Sequence, residues 1–169
     1  MDLDGTLIRD DASVKSFILL LARNPLRVFS ALVWLARGRV HLKREIARRV
    51  YLDPTTLSYR EDVMDFLHEQ KKSGRRIVLA TASDQIYADA IVKHLGLFDE
   101  ALGSDGLTNL SRHRKRAALE ARYGKFSYMG NSRDDLAVWS GAEEAYAVGV
   151  PEKVLTALRK FKTPVRIFP

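Results

Sequence analysis

The rhythm of apolar and polar positions changes once along this chain, near residue 74. Before it, "VKSFILLLAR", "LRVFSALVWLAR", "HLKREIARRVYL" and "REDVMDFLHEQKKSG" repeat their apolar residues at helical spacing, with breaks at Asn24-Pro25, Arg37-Gly38 and Asp53-Pro54. Residues 11–73 are therefore predicted to be helices only. From Gly74 onward, short apolar runs alternate with helical patterns. "RRIVLAT" predicts a strand over 75–81, and "SDQIYADAIVKHLG" a helix capped by Ser83 or Asp84 and ended by Gly96. "FDEALGSDG" predicts a strand and turn, "SRHRKRAALEARYG" a helix, "FSYMG" a strand and "SRDDLAVWSGA" a helix. "AYAVGV" predicts another strand, "PEKVLTALRKF" a helix with Pro151 in its first turn, and "VRIF" a last strand.

Such alternation predicts an α/β fold, a parallel sheet with helices on both faces. Ligands in these sheets bind beyond the carboxyl ends of the strands, which singles out Asp2, Asp4, Thr81, Gly130 and Asn131. The helical stretch reads as a cap inserted after the first strand. The expected division is a core of 1–10 and 74–169 and a cap of 11–73.

Composition narrows the chemistry. With no cysteine among 169 residues, disulfides, thiolate metal sites and cysteine nucleophiles are excluded. The formal charge of +7 lies in one stretch: between Arg9 and Arg49 stand ten Lys/Arg and three acids, and the remainder is neutral. A basic segment of this kind attracts phosphorylated substrates, anionic lipid headgroups or nucleic acid, or is simply a solvated face. The same segment is apolar, but Arg23, Asn24, Pro25 and Arg27 interrupt it, so no membrane span is predicted. Acids at positions 2, 4, 10 and 11 do not fit a signal peptide.

"MDLDGTLIRD" carries the most specific signal. On a strand, Asp2 and Asp4 project from the same side, and Gly5 lets the backbone turn away after them. Two carboxylates aimed at one point need a counter-charge, such as a divalent cation with a phosphate. They also permit a division of labour between nucleophile and proton donor. His41, His68, His94 and His113 have no metal-ligand spacing, and Trp34 and Trp139 read as packing residues.

At these residues the sequence resembles the haloacid dehalogenase superfamily of phosphohydrolases. Asp2-Leu3-Asp4-Gly5-Thr6 is similar to its first motif, and Thr81 behind "RRIVLA" to its second. Lys115 matches the third, with Arg112, Arg114 and Arg116 as near alternatives, and "YMGNSRDDLAVW" the fourth, with Asn131 where an Asp is usual and Asp135 in the later acidic position. The resemblance implies a Rossmannoid core and a magnesium-dependent phosphatase. In it Asp2 is the nucleophile that forms an aspartyl-phosphate, Asp4 is the acid and base, and Thr81 and Lys115 hold the phosphoryl group. Mg2+ would be held by Asp2, the Asp4 carbonyl, Asn131 and Asp135, with Asp134 as substitute if the helix start shifts by one residue. An Asn at 131 removes one negative charge, so weaker metal affinity is the expected direction.

"ATASDQ", "HLGLFDEALGSDGLTNL" and "GNSRDDLAVW" together with "DLDGTL" further resemble the soluble domain fused to polyprenyltransferases of the ubiquinone-biosynthesis type. That resemblance implies a cytoplasmic protein, peripheral at the inner face of the membrane. Its substrate would be a prenyl, lipid or sugar phosphate, and its partner a membrane surface or a membrane prenyltransferase. A weakly active regulatory domain of such a system is the alternative, and nucleic acid is not expected as a partner, for lack of a binding motif. In the resembled family the first motif ends a central strand. Omitting that strand would leave a gap of roughly 10 Å, two strand spacings, in the sheet. The expectation is therefore a natural start upstream, with about four to six apolar residues ahead of Asp2.

Overall fold

The computed structural model describes all 169 residues. Its elements follow the predicted alternation: helices α1 (Ala12–Arg23), α2 (Arg27–Ala36), α3 (Arg39–Ala47) and α4 (Glu61–Lys72) precede strand β1 (Val78–Asp84). Then come α5 (Gln85–Leu95), β2 (Glu100–Ser104), α6 (Arg112–Tyr123), β3 (Tyr128–Gly130), α7 (Leu136–Trp139), β4 (Ala145–Val148), α8 (Glu152–Leu158) and β5 (Val165–Phe168). β1 pairs with β2, and β3, β4 and β5 pair in that order, all in parallel. No helix is long and apolar enough to cross a membrane.

Alternation along the strands sends neighbours to opposite faces, and both faces are covered. Leu79, Met129 and Val148 join Val63, Phe66, Leu67, Tyr87 and Ile91 in the larger core, on the side of α4 and α5. Ala80, Tyr128, Ala145 and Ala147 join Leu119, Val138, Trp139, Leu155 and Leu158 on the side of α6, α7 and α8. This is the doubly covered sheet that the apolar runs predicted.

The two groups of strands are joined by the first two residues. The Met1 amino group donates to the Val78 carbonyl at 2.8 Å, the Ala80 N–H donates to the Met1 carbonyl at 2.8 Å, and the Asp2 N–H donates to the Met129 carbonyl at 2.9 Å. The backbone of Met1 and Asp2 thus stands between Val78–Ala80 of β1 and Met129 of β3. Beside Met1 lies a cavity of about 590 Å³, lined among others by Ile77, Val78, Phe126, Tyr128, Phe66 and Leu119.

The helical segment divides differently from the expected 11–73. Val63, Phe66 and Leu67 of α4, at i, i+3 and i+4, lie in the larger core, so α4 belongs to the sheet and the boundary falls near residue 61. Periodicity shows that a helix has an apolar stripe; it does not show what the stripe packs on. The cap proper is α1, α2 and α3, around a small cluster of Leu20, Ile46 and Val50 flanked by Phe17, Trp34 and Leu42. The helix expected after Ser132 is also shorter, a single 3-10 turn (Arg133–Asp135) running into α7, because Ser132 and Asp135 close a reciprocal capping box there.

Candidate active site

The predicted site residues converge where β1, β3 and the first residues end. The backbone turns away after Asp4 through Gly5, whose φ is +72°, a conformation that glycine adopts without strain. A Cβ on Gly5 would collide with the side-chain amide of Asn131, so the first motif and the loop after β3 are in contact.

Lys115 reaches the site from α6. It is only 3% exposed, and its Nζ donates to Asp2 Oδ1 at 2.8 Å and to the Tyr128 hydroxyl at 2.9 Å. The arginines that left the choice open point elsewhere: Arg112 pairs with Asp134 at 2.7 Å, Arg116 pairs with Glu120, and Arg114 is exposed. Asp134 is half-exposed in that pair and takes no part in the site.

Tyr128 hands the network on. Its hydroxyl donates to Asp135 Oδ1 at 2.9 Å, while Asp135 Oδ2 accepts from the Asn131 N–H, the Ser132 N–H and the Ser132 hydroxyl at 2.8–3.0 Å. Asp135 is 2% exposed, and both its oxygens are engaged within the protein. It reaches this position because Gly130 has no Cβ, which would overlap the Asp135 carboxyl carbon. Asp2 Oδ2 and the Asn131 side-chain amide, in contrast, have no hydrogen-bond partner in the protein.

Asp4 is held by other groups. Its Oδ1 accepts from the Ala12 N–H at 2.7 Å, at the start of α1, and its Oδ2 from the Ser83 hydroxyl at 2.6 Å. The Thr81 hydroxyl is fully buried and accepts from the Ser83 N–H at 3.0 Å. The cap approaches the same end of β1, with Lys43 Nζ donating to the Ala82 carbonyl at 3.1 Å and Arg44 pairing with Asp84 at 2.8 Å.

Burial sets the electrostatics. Desolvation pushes the Asp2 carboxyl above its ordinary range, and the Lys115 charge opposes the rise. Desolvation also raises Asp4, to about 6, against the lowering effect of the bonds from Ser83 and Ala12. Tyr128 is pushed well above 10 by burial first and then by the charges of Asp2 and Asp135, so it remains a neutral donor.

The predicted residues Asp2, Asp4, Thr81, Lys115, Asn131 and Asp135 are thus brought to one end of the sheet. Sequence reasoning missed Tyr128 and Ser83. Tyr128 sits two residues before Gly130 and so faces the same side of β3, a period-two signal that was present. In the sequence Ser83 has only the signal of a candidate cap for α5, the role Asp84 takes through its bond from the Ile86 N–H.

A hard divalent cation suits the free donors. No three carboxylate or imidazole groups converge to hold a metal by themselves. The unengaged Asp2 oxygen and the Asn131 amide are oxygen donors of the type Mg2+ accepts while keeping several waters.

Comparison with known proteins follows the geometry. The profile of the haloacid dehalogenase-like hydrolases matches residues 1–139. The uncharacterised protein y4nM of Sinorhizobium fredii is 36% identical over 166 residues, which make up 98% of this chain and 32% of that protein. The chain therefore spans about a third of the length of this curated relative. Among solved structures, a Bordetella pertussis protein of unknown function superposes with a TM-score of 0.65 at 16% identity, covering 97% of this chain and 95% of that one. A phosphoserine phosphatase with bound substrate gives 0.62 at 15% identity, covering 92% and 87%.

Proposed function

Because the chain belongs to the haloacid dehalogenase-like hydrolase family, we propose that it is a magnesium-dependent phosphatase in which Asp2 is the nucleophile and Asp4 the acid and base. The observation that carries this reading is the Asp2 carboxylate, with one oxygen fixed by Lys115 at 2.8 Å and the other unengaged. A carboxylate held in this way is oriented as a nucleophile must be, and the Lys115 charge opposes the desolvation that burial imposes on it. One solved structure of similar fold is a phospho-aspartyl intermediate analogue of phosphoserine phosphatase, with a TM-score of 0.59 at 14% identity. The same kind of intermediate is proposed for Asp2.

The Asp2 carboxylate attacks phosphorus, the bond to the ester oxygen breaks, and that oxygen takes its proton from Asp4. Asp4 then accepts a proton from water as the water oxygen bonds to phosphorus and the aspartyl-phosphate bond breaks, which frees phosphate and restores Asp2. A carboxyl raised to about 6 suits both halves of this exchange near neutral pH. Thr81 and Lys115 bind phosphoryl oxygens. Lys115 is the positive charge already in place, shared between Asp2 and substrate. When bound, Mg2+ supplies further positive charge against the phosphoryl group; Asp2, the Asp4 carbonyl and Asn131 would hold it. Asp135, with four donors on its carboxylate, positions the Asn131–Ser132 backbone.

The substrate class proposed is a prenyl, lipid or sugar phosphate. A phosphatase screen with Mg2+ that includes all three, run on the wild type and Asp2→Asn, is expected to find turnover that the variant lacks. Equal activity in the two would remove Asp2 as nucleophile. A second reading, a regulatory domain of a membrane prenyltransferase system, is favoured by the missing charge at Asn131. Its signature is Mg2+-dependent ligand binding by the wild type without turnover.

A further inference from the structure

Helix α2 is turned the wrong way round for a protein surrounded by water. Only Ala31 is buried, and the half-buried positions beside it are Arg27, Ser30 and Trp34. At 100° per residue, 27, 30, 31 and 34 form the inward side. The outward side carries Leu26, Phe29, Leu32 and Val33, each 58–72% exposed, with Leu35 at its edge. A ten-residue helix of this composition ordinarily buries its apolar stripe. Here the apolar stripe faces outward, as one contiguous surface of the kind that marks an interaction site.

Charge narrows the choice of partner. From Ala12 to Arg44 there are seven Lys/Arg and no acid. Arg23, Arg37 and Arg39 are exposed at the ends of α1, α2 and α3, and neither they nor Arg27 pair with a carboxylate. An apolar helix face bordered by unpaired arginines is complementary to an anionic bilayer, whose acyl region takes the side chains while its headgroups take the guanidinium ions. A second copy of this chain would bring the same uncompensated charge to the contact.

We propose that the outward face of α2 docks on an anionic membrane surface. Phe29, Leu32 and Val33 enter the headgroup boundary, and Arg23, Arg37 and Arg39 contact lipid phosphates. The cap stands at the end of the sheet that carries Asp2 and Asp4, tied there by Lys43, Arg44 and the Ala12 N–H. Docking therefore places the site close to the bilayer plane.

The test is flotation of the 169-residue protein with vesicles of phosphatidylcholine containing about a third phosphatidylglycerol, at low salt. The expected result is binding that is weak on pure phosphatidylcholine and falls as salt is raised. The double variant Phe29→Ser, Leu32→Ser is expected to bind at least tenfold more weakly, and Arg37→Gln about fivefold. Circular dichroism of the variants reports whether their fold is unchanged. The proposal is overturned if the wild type does not bind at low salt, if folded Phe29→Ser, Leu32→Ser binds as well, or if sedimentation shows a dimer that the same variant dissociates. Neither metal nor phosphate ester is present, so loss of the phosphatase reading would leave this result untouched.

Discussion

The end of the sheet at Asp2 and the outer face of α2 both invert the usual placement of side chains, in opposite senses. At the sheet, two carboxylates, a lysine and a tyrosine are withdrawn from water, and hydrogen bonds connect Lys115, Tyr128 and Asp135 without a break. On α2, leucine, valine and phenylalanine are left in water, and nothing in the chain covers them. Buried polarity is compensated inside the molecule, whereas exposed apolarity calls for something outside it. Substitutions in the two places should therefore behave in opposite ways, the first through folding and the second through association.

Lys115→Met is the sharpest way to break the first region. It leaves Asp2 buried without its counter-charge and removes the donor to Tyr128, so a loss of about 3–5 kcal/mol is expected in urea denaturation. Asp2→Asn made in the Lys115→Met background should recover part of that loss. Strict additivity of the two would show that the pair is not coupled.

Asp4 offers a pH test in the metal-free protein. Its folded value of about 6 lies above the ordinary carboxylate range, so the folded state holds the proton more tightly than the unfolded state does. The contribution to stability is complete below about pH 4 and is lost as pH rises through 6. Asp4→Asn removes the titration. Its stability relative to the wild type should improve by roughly 2 kcal/mol between pH 4 and pH 8. A flat difference across that range would place the Asp4 carboxyl at its ordinary value.

Gly5→Ala is expected to cost about 1–3 kcal/mol, from the positive φ together with the collision with Asn131. Shortening the neighbour as well, in Gly5→Ala with Asn131→Gly, should return the collision part and leave the backbone part, as thermal melts would show.

The smallest effect belongs to α2. Phe29→Ser with Leu32→Ser should change stability by no more than about 0.5 kcal/mol, because neither side chain is packed. A larger loss by the same melts would mean that this face contributes to the core, and the contrast between the two regions would fail.

Much of this was legible in the sequence. Apolar period located β1, α5, β2, α6, β3, β4 and β5, and Asp84, Gly96 and Gly124 mark the ends of the two helices, whose backbones are satisfied locally. Thr81 and Lys115 came from the resemblance to the haloacid dehalogenase motifs that begins at Asp2 and Asp4. What was not legible depends on the other side of a contact. The apolar stripe of α4 could have covered the cap or the sheet, and only packing decides between them. In the sequence Tyr128 is indistinguishable from any strand aromatic; only Lys115 and Asp135 on either side of its hydroxyl give it a role. The joining of the two strand groups was also hidden, because it uses the backbone of Met1 and Asp2, and backbone hydrogen bonds carry no residue signature.

The ion pair between Asp2 and Lys115 spans 113 residues of sequence. On a ribosome adding about 5–20 residues each second, Asp2 precedes Lys115 by on the order of ten seconds, and β3 follows later still. The carboxylate made first is thus among the last groups to be placed. The cap, complete by residue 47, can form its local helices in that interval. A nascent chain therefore displays the apolar face of α2 well before it has a site to bring anywhere, and whatever covers that face has its first opportunity during synthesis.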